Sequence, residues 1–266
     1  MNQLEPYIPY KGNKFQILDD IYTTIRTLDI PYVNTIVDPF CGGGSFSYFM
    51  AQHGYKVLAN DLDASVIELH KSLQLWGNSN DFETLNEWTK RSFTKEQFKA
   101  MINDDSAFGA FVRSIWSFGN DGRTYLTSDE KEAQKLEDFS AGTAEPNSRA
   151  KHIVDIALAY TRQKMDISFT NLSYEQVKIP EDALVYLDPP YAGTAGYRSG
   201  AFDTEAFHQW VLNLPNLCLI SEYEMPEPFV LVAQYPKWVE SGRGARTKMG
   251  VERLYANKPV NKIMLF

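Results

Sequence analysis

The sequence predicts an α/β fold, a parallel-rich sheet whose strands alternate with helices and which is interrupted by a mostly helical insertion. Three observations lead there. Short apolar runs that end in an acid recur at "NTIVD" (34–38), "YKVLAND" (55–61) and "ALVYLD" (183–188). Segments with helical periodicity separate the first two. From about 78 to 160 no strand alternation appears at all. Strands alternating with helices imply a sheet whose ligands sit at the carboxyl ends of its strands.

Taken in order, "NTIVD" is the first strand, and "PFCGGGSFSYFMAQHG" follows it. Gly42, Gly43 and Gly44 permit a tight turn, and Ser45 to His53 reads as a helix closed by Gly54. "YKVLAND" is the second strand, and "DASVIELHKSLQLW" (63–76) is a helix with Asp63 as its cap. The middle contains the helical stretches "DFETLNEWTKRSF", "TKEQFKAMIND" and "AFGAFVRSIWSF", with a glycine-containing loop near 119–124. Strands return at "DISFTN" (166–171), "ALVYLD" and "NLCLISEY" (216–223), with a helix over about 203–213 and a closing strand at "NKIMLF" (261–266).

Composition narrows the classes. A chain of 266 residues with 44% hydrophobic content suits one large domain, or a core domain with a sizeable insertion. The aromatic content of 14% is high enough that some rings can serve as stacking surfaces, although most are expected to pack. Cys41 and Cys218 show neither pairing nor metal-ligand spacing, which points to a reduced, cytoplasmic setting. No apolar run reaches membrane-span length, and the first residues lack a signal-peptide core. The net charge of −8 argues against non-specific nucleic-acid binding. Yet Lys237 to Lys262 holds seven basic residues against two acids, about +5 locally. A solvated basic face and a phosphate-contacting loop both fit that segment.

The glycine turn does not match a dinucleotide site, which needs G-x-G-x-x-G facing a pyrophosphate. In "DPFCGGGSFS" an aspartate, Asp38, stands directly ahead of the glycines, where it would repel a diphosphate and suit a cationic amine. Asp61 closes the second strand 61 − 42 = 19 residues after the first glycine, near the spacing at which an acid meets ribose hydroxyls. An adenosine ligand with an amine and a sulfonium but no phosphate satisfies both acids; S-adenosyl-L-methionine is such a molecule. An Asp that merely caps a strand end is the structural alternative.

"DPPY" (188–191) breaks its strand with two prolines just where a carboxylate appears. An exocyclic base amine is a poor nucleophile because its lone pair is delocalised into the ring. A carboxylate and a backbone carbonyl accepting its two hydrogens favour a tetrahedral, attacking nitrogen. Asp188 supplies the carboxylate, Pro189 and Pro190 a stiff backbone with carbonyls and no N–H, and Tyr191 a face on which a flipped base can stack. A Pro-terminated strand carrying a surface Tyr is the plain alternative.

At these residues the chain resembles the Dam-type (class α) DNA adenine-N6 methyltransferases of bacteria and their phages. "PYKGNK" (9–14) is similar to the family's amino-terminal cofactor motif, "VDPFCGGGSFS" (37–47) to its glycine turn, "VLANDL" (57–62) to its ribose-binding strand end and "DPPY" to its catalytic motif. The resemblance implies a Rossmann-like SAM-dependent methyltransferase sheet with a mostly helical inserted DNA-recognition domain. The catalytic part would span 1–77 and 161–266, and the recognition part 78–160. It implies that Tyr10, Lys14, Asp61 and Asp188 contact the cofactor, with Asp38, Phe40, Gly42 and Gly44 nearby. Lys14 suits the methionine carboxylate, or else is an exposed lysine at a helix start. "SFGNDGRTYL" (117–126) is similar to the family's DNA-contacting loop, so Asn120 and Arg123 are candidates for base edges. Arg243 and Arg246 are candidates for phosphates.

The expected function is site-specific N6 methylation of a flipped adenine in double-stranded DNA, with a cognate restriction nuclease as a conceivable partner. Three other readings stay open: methylation of RNA adenine, methylation of a glutamine amide, and a non-catalytic binder of cofactor or DNA. Glutamine enzymes resembling this class generally carry Asn where Asp188 stands, which favours a base. A nicotinamide oxidoreductase is excluded by the missing pyrophosphate pattern.

Overall fold

The computed structural model describes residues 4–190, 202–240 and 246–261, apart from a few side chains. In chain order the helices are α1 (Leu18–Thr27), α2 (Ser45–Gln52), α3 (Ala64–Ser79), α4 (Glu83–Thr89), α5 (Lys95–Ala100), α6 (Ala107–Trp116), α7 (Glu132–Ser140), α8 (Glu145–Arg162) and α9 (Thr204–Asn213). The strands are β1 (Thr35–Asp38), β2 (Lys56–Asn60), β3 (Ile167–Thr170), β4 (Leu184–Leu187), β5 (Cys218–Glu222), β6 (Val230–Glu240) and β7 (Arg246–Ala256). The chain forms two compact units. One comprises Met1–Asn13, Gly42–Tyr48 and Asp63–Met165; the other comprises Lys14–Cys41, Phe49–Leu62 and Asp166–Phe266. Among the described residues no helix is long and apolar enough to cross a membrane.

The second unit holds the whole sheet, in the order β3-β2-β1-β4-β5-β7-β6. β1 to β5 run parallel, β7 is antiparallel to β5, and β6 is antiparallel to β7. Strands covered on both faces should be apolar throughout. β4 obeys, all four of its residues being buried, whereas the edge strand β3 alternates between buried and exposed. The order reverses between β1 and β4, where Ile36 and Val37 pair with Leu184 and Val185. In open α/β sheets the carboxyl ends of the two strands at such a reversal are where ligands bind. Val185 and Leu187 pack with Phe207 and Val211 of α9 and with Cys218 and Ile220 of β5.

The first unit is helical apart from one isolated bridge between Ser117 and Tyr125. α6 is buried from Gly109 to Trp116, the signature of a helix surrounded on all sides. α3 packs on both α6 and α8. It meets α8 closely at Gly77, where an added Cβ would stand 2.4 Å from the Ala157 carbonyl oxygen. Asp63 caps α3 as expected, accepting from the Ser65 amide at 3.1 Å. Many of the aromatic residues pack here, Trp116 lying against Phe93, Tyr125 and Phe139.

Much of the carboxyl-terminal basic segment is strand. Lys237–Glu240 ends β6 and Arg246–Ala256 forms β7, two strands of 11 residues each. Lys237 is 19% exposed and paired with Glu252. Arg253 donates to the Tyr223 carbonyl, and Lys258 donates to that of Pro215. The closing strand expected at 261–266 lies, from 262 onward, outside the described residues.

Candidate active site

Three aspartates stand where parallel strands end. Asp38 is the last residue of β1, Asp61 follows β2 and Asp188 follows β4. Asp38 is 2% exposed, while Asp61 is half-buried. The side chain of Asn171 donates to the backbone carbonyls of Asp61 and Leu62 at 2.8 and 3.0 Å, fixing the turn that presents Asp61. Between these acids the Cys41 amide donates to the Asn60 carbonyl at 2.8 Å. Burial pushes the Cys41 thiol well up, and the Asp61 and Asp38 carboxylates push it further. The local field is therefore negative, which suits an uncharged or cationic ligand and opposes a diphosphate. Phe40 lies in an aromatic group with Tyr174, Phe202 and Phe207, its ring 5.3 to 5.9 Å from theirs.

Asp188 is held by a buried cation. The Lys14 ammonium donates to both of its carboxylate oxygens at 2.7 Å. The Lys14 side chain is 2% exposed and that of Asp188 22%, so the carboxylate is the open end of the pair. The exposed helix-start lysine is thus overturned. Lys14 is a partner of Asp188. Burial opposes the Lys14 charge, but the Asp188 and Glu252 carboxylates outweigh it and hold its pKa above the ordinary lysine value. Burial raises the Asp188 carboxyl above its usual range, against the pull of Lys14. A carboxylate has about four lone-pair sites, so two remain for another donor. Pro189 is buried and Pro190 half-buried, while Tyr191 lies outside the described residues.

Sequence reasoning missed the rest of this charged group. Glu252 on β7 is 1% exposed, accepts from the Ser221 hydroxyl at 3.0 Å, and lies 3.7 Å from Lys14 and 3.6 Å from Lys237. Glu222, at the end of β5, is pushed up to about 7 by burial, with the Asp188 and Glu252 carboxylates adding to the effect. An acid set in a basic stretch was the one available signal for Glu252.

In the helical unit, Tyr10 and the glycine turn come together. An added Cβ at Gly42 would stand 2.9 Å from the Tyr10 ring, and one at Gly43 only 2.1 Å from the Ile8 carbonyl oxygen. The Ile8 amide donates to the Gly43 carbonyl at 2.8 Å. Gly42 and Gly44 have φ of 46° and 75°, a region that favours glycine. His70, also missed, secures this turn. Its Nε2 lies 2.8 Å from the Gly42 carbonyl oxygen, which can only accept, so Nε2–H donates and Nδ1 accepts from the Tyr48 hydroxyl at 2.7 Å. Burial lowers the His70 pKa to about 4, keeping the ring neutral.

The segment 117–126 is an ordered turn. The Phe118 amide donates to the Thr124 carbonyl at 2.7 Å, and Asp121 Oδ1 accepts from the amides of Arg123 and Thr124 at 2.8 Å each. Asn120 has φ 56°, a conformation Asn tolerates better than most residues, which gives its identity a backbone reason. Arg123 is exposed. Arg243 lies outside the described residues, and Arg246 is the first residue of β7.

Among solved structures, the rRNA methyltransferase aviRa from Streptomyces viridochromogenes is similar at 11% identity over 94% of this chain and 87% of that one, with a TM-score of 0.43. A second aviRa structure gives 10% identity, 92% and 84% coverage, and a TM-score of 0.42. SMU.472, in complex with SAH, is 12% identical over 91% of this chain and 51% of its own, with a TM-score of 0.31. The family model of D12 class N6 adenine-specific DNA methyltransferases matches residues 10–209, a span that runs from Tyr10 through the acid-tipped strands β1 and β4 and "DPPY". The chain belongs to that family, enzymes that use S-adenosylmethionine to methylate the exocyclic amine of adenine in DNA.

Proposed function

We propose that Asp188 and the carbonyl of Pro189 accept the two hydrogens of the adenine amine, and that Tyr191 stacks on a base flipped out of double-stranded DNA. One observation carries this reading. Asp188 follows β4, the strand next to β1 where the strand order reverses, and it is partly exposed while the Lys14 ammonium that holds it is buried. Two accepted hydrogens turn the nitrogen lone pair out of the ring plane and toward the methyl group. As the nitrogen gains positive charge, Asp188 stabilises it electrostatically and stands ready to take its proton on a carboxylate oxygen.

Asp38, Phe40 and Asp61 are the residues of this unit that would hold S-adenosylmethionine. The donor set fits: a buried carboxylate for the amine, a half-buried one for ribose hydroxyls, an aromatic ring, and a negative field against phosphates. When bound, the cofactor supplies a methyl group activated by its sulfonium. Tyr10, Lys14, Gly42, Gly44 and Asp188 stay candidates for the same ligand on the sequence resemblance.

Site-specific DNA recognition falls in this reading to the helical unit, with Arg123 and Asn120 on the 117–126 turn. Phosphate contacts fall to Arg243 and Arg246. A site-specific mark protects DNA from a nuclease of the same specificity, so a cognate nuclease is the partner this activity would serve, in the cytoplasm where the DNA is. The experiment is expression of wild type and Asp188→Ala in a methylation-deficient host, followed by modified-base sequencing. The expected result is N6-methyladenine at one short motif with wild type and none with the variant. Undiminished methylation by Asp188→Ala would remove the catalytic assignment.

A further inference from the structure

We propose that Glu252 is a positioning residue for methyl transfer: by sharing the Lys14 ammonium with Asp188, it keeps the Asp188 carboxylate a strong acceptor for the adenine amine. The inference rests on the reading of Asp188 given above.

The placement of Glu252 is its first support. Along β7 the alternate positions 252, 254 and 256 are all buried, and the other two are Leu254 and Ala256. A strand that only had to pack would carry an apolar residue at 252 as well, because a buried carboxylate is costly unless paired and hydrogen-bonded. Here it is both. Oε1 accepts from Ser221 at 3.0 Å and lies 3.7 Å from Lys14, while Oε2 lies 3.6 Å from Lys237.

Charge counting gives the second support. Lys14, Lys237, Asp188 and Glu252 form a neutral set of two cations and two anions. Were Lys14 to face Asp188 alone, it would neutralise the one carboxylate that has to attract a developing positive charge. With Glu252 beside the same ammonium, Lys14 orients Asp188 through two hydrogen bonds without cancelling its charge. Lys237, more exposed than Lys14, balances the remainder. Other groups also bear on Asp188. They are Tyr186 on β4, Glu222 at the end of β5, and Tyr223 just after it.

Two substitutions make opposite demands. Glu252→Gln removes a negative neighbour, so Asp188 ionises more easily and becomes a weaker acceptor. Its plateau kcat should fall on the order of tenfold, with the acid limb of the kcat–pH profile moved to lower pH. Lys237→Gln removes a positive neighbour, and its acid limb should move to higher pH. Glu252→Asp keeps the charge and should recover part of the rate lost in Glu252→Gln. S-adenosylmethionine affinity, read by calorimetry, should stay within about twofold in both Gln variants.

A purely structural role would lower activity in both variants without separating their pH limbs. Limbs that stay in place, or move in the same direction, overturn the proposal. Should Glu252→Gln fail to fold, the Lys237→Gln limb still decides, since an unmoved limb there has the same force. Asp188→Ala run alongside separates the two readings. If it is active, the assignment of Asp188 fails; if it is dead while the limbs do not diverge, only the role of Glu252 fails.

Discussion

Replacing Lys14 with Met leaves two carboxylates, Asp188 and Glu252, where the structure places an ammonium 2.7 Å from both oxygens of the first and 3.7 Å from the second. At an effective dielectric of about 20, one charge pair at that shorter distance is worth about 6 kcal/mol before the lysine's own desolvation is subtracted. Breaking buried pairs from one side generally costs about 3–5 kcal/mol. Asp188 retains 22% exposure, so water recovers part of this, and a loss of about 2–4 kcal/mol follows. The loss depends on pH in a definite direction. Burial already raises the folded-state pKa of Asp188, and losing Lys14 raises it further. A raised carboxyl binds more protons folded than unfolded, so stability falls as pH rises from the unfolded pKa of about 4 through the folded value. Urea unfolding of wild type and variant at pH 5 and pH 8 reads this directly. The gap between the two proteins should be wider at pH 8. A gap of equal size at both pH values would mean that packing of the lysine stem, and not charge, is what the substitution removes.

Asp61→Ala should weaken S-adenosylmethionine binding by about 1.5–3 kcal/mol, the range for a hydrogen bond to a charged group, and unchanged calorimetric affinity would move the ribose contact elsewhere. Gly43→Ala forces a methyl against the Ile8 carbonyl oxygen, a backbone atom that cannot swing away, so a loss of about 1–3 kcal/mol is expected in thermal unfolding. His70 is neutral when folded, with a pKa lowered by burial to about 4, so its stabilisation is complete above about 6.5 and drains away as pH falls toward 4. His70→Gln should flatten the stability profile in that window, and an unchanged profile would place the acid sensitivity in other groups. Arg123→Ala should relax discrimination at one base by about 1–3 kcal/mol while leaving cofactor affinity alone, which competition binding with single-mismatch duplexes can measure.

What could be read from the sequence was what is local. β1, β2 and β4 announce themselves because each is a short, largely buried and mostly apolar run, and Asp38, Asp61 and Asp188 mark where the runs end. Asp63 could be identified as a cap because its partner, Ser65, is two residues away. β6 and β7 were hidden because hairpin strands near a sheet edge carry Lys237, Lys248 and Arg253 among their apolar residues, and Pro236 and Gly250 interrupt the pattern. The same hidden register buries Glu252, and only tertiary pairing brings Lys14 to it. His70 was equally silent: its two hydrogen bonds reach Gly42 and Tyr48, residues more than 20 positions earlier in the chain.

The Lys14–Asp188–Glu252 group also spans most of the chain. Its cation comes from an early stretch of the chain, its partly exposed carboxylate from the end of a central strand, and its second anion from one of the last strands. On the ribosome, residue 14 emerges long before residue 252, so an incomplete chain holds Lys14 and Asp188 without the strand that balances them. In the finished sheet β7 lies between β5 and β6, so if Glu252 positions Asp188 as proposed, competence to methylate requires that strand. A fragment ending before β7 would keep every recognisable motif and still lack Glu252.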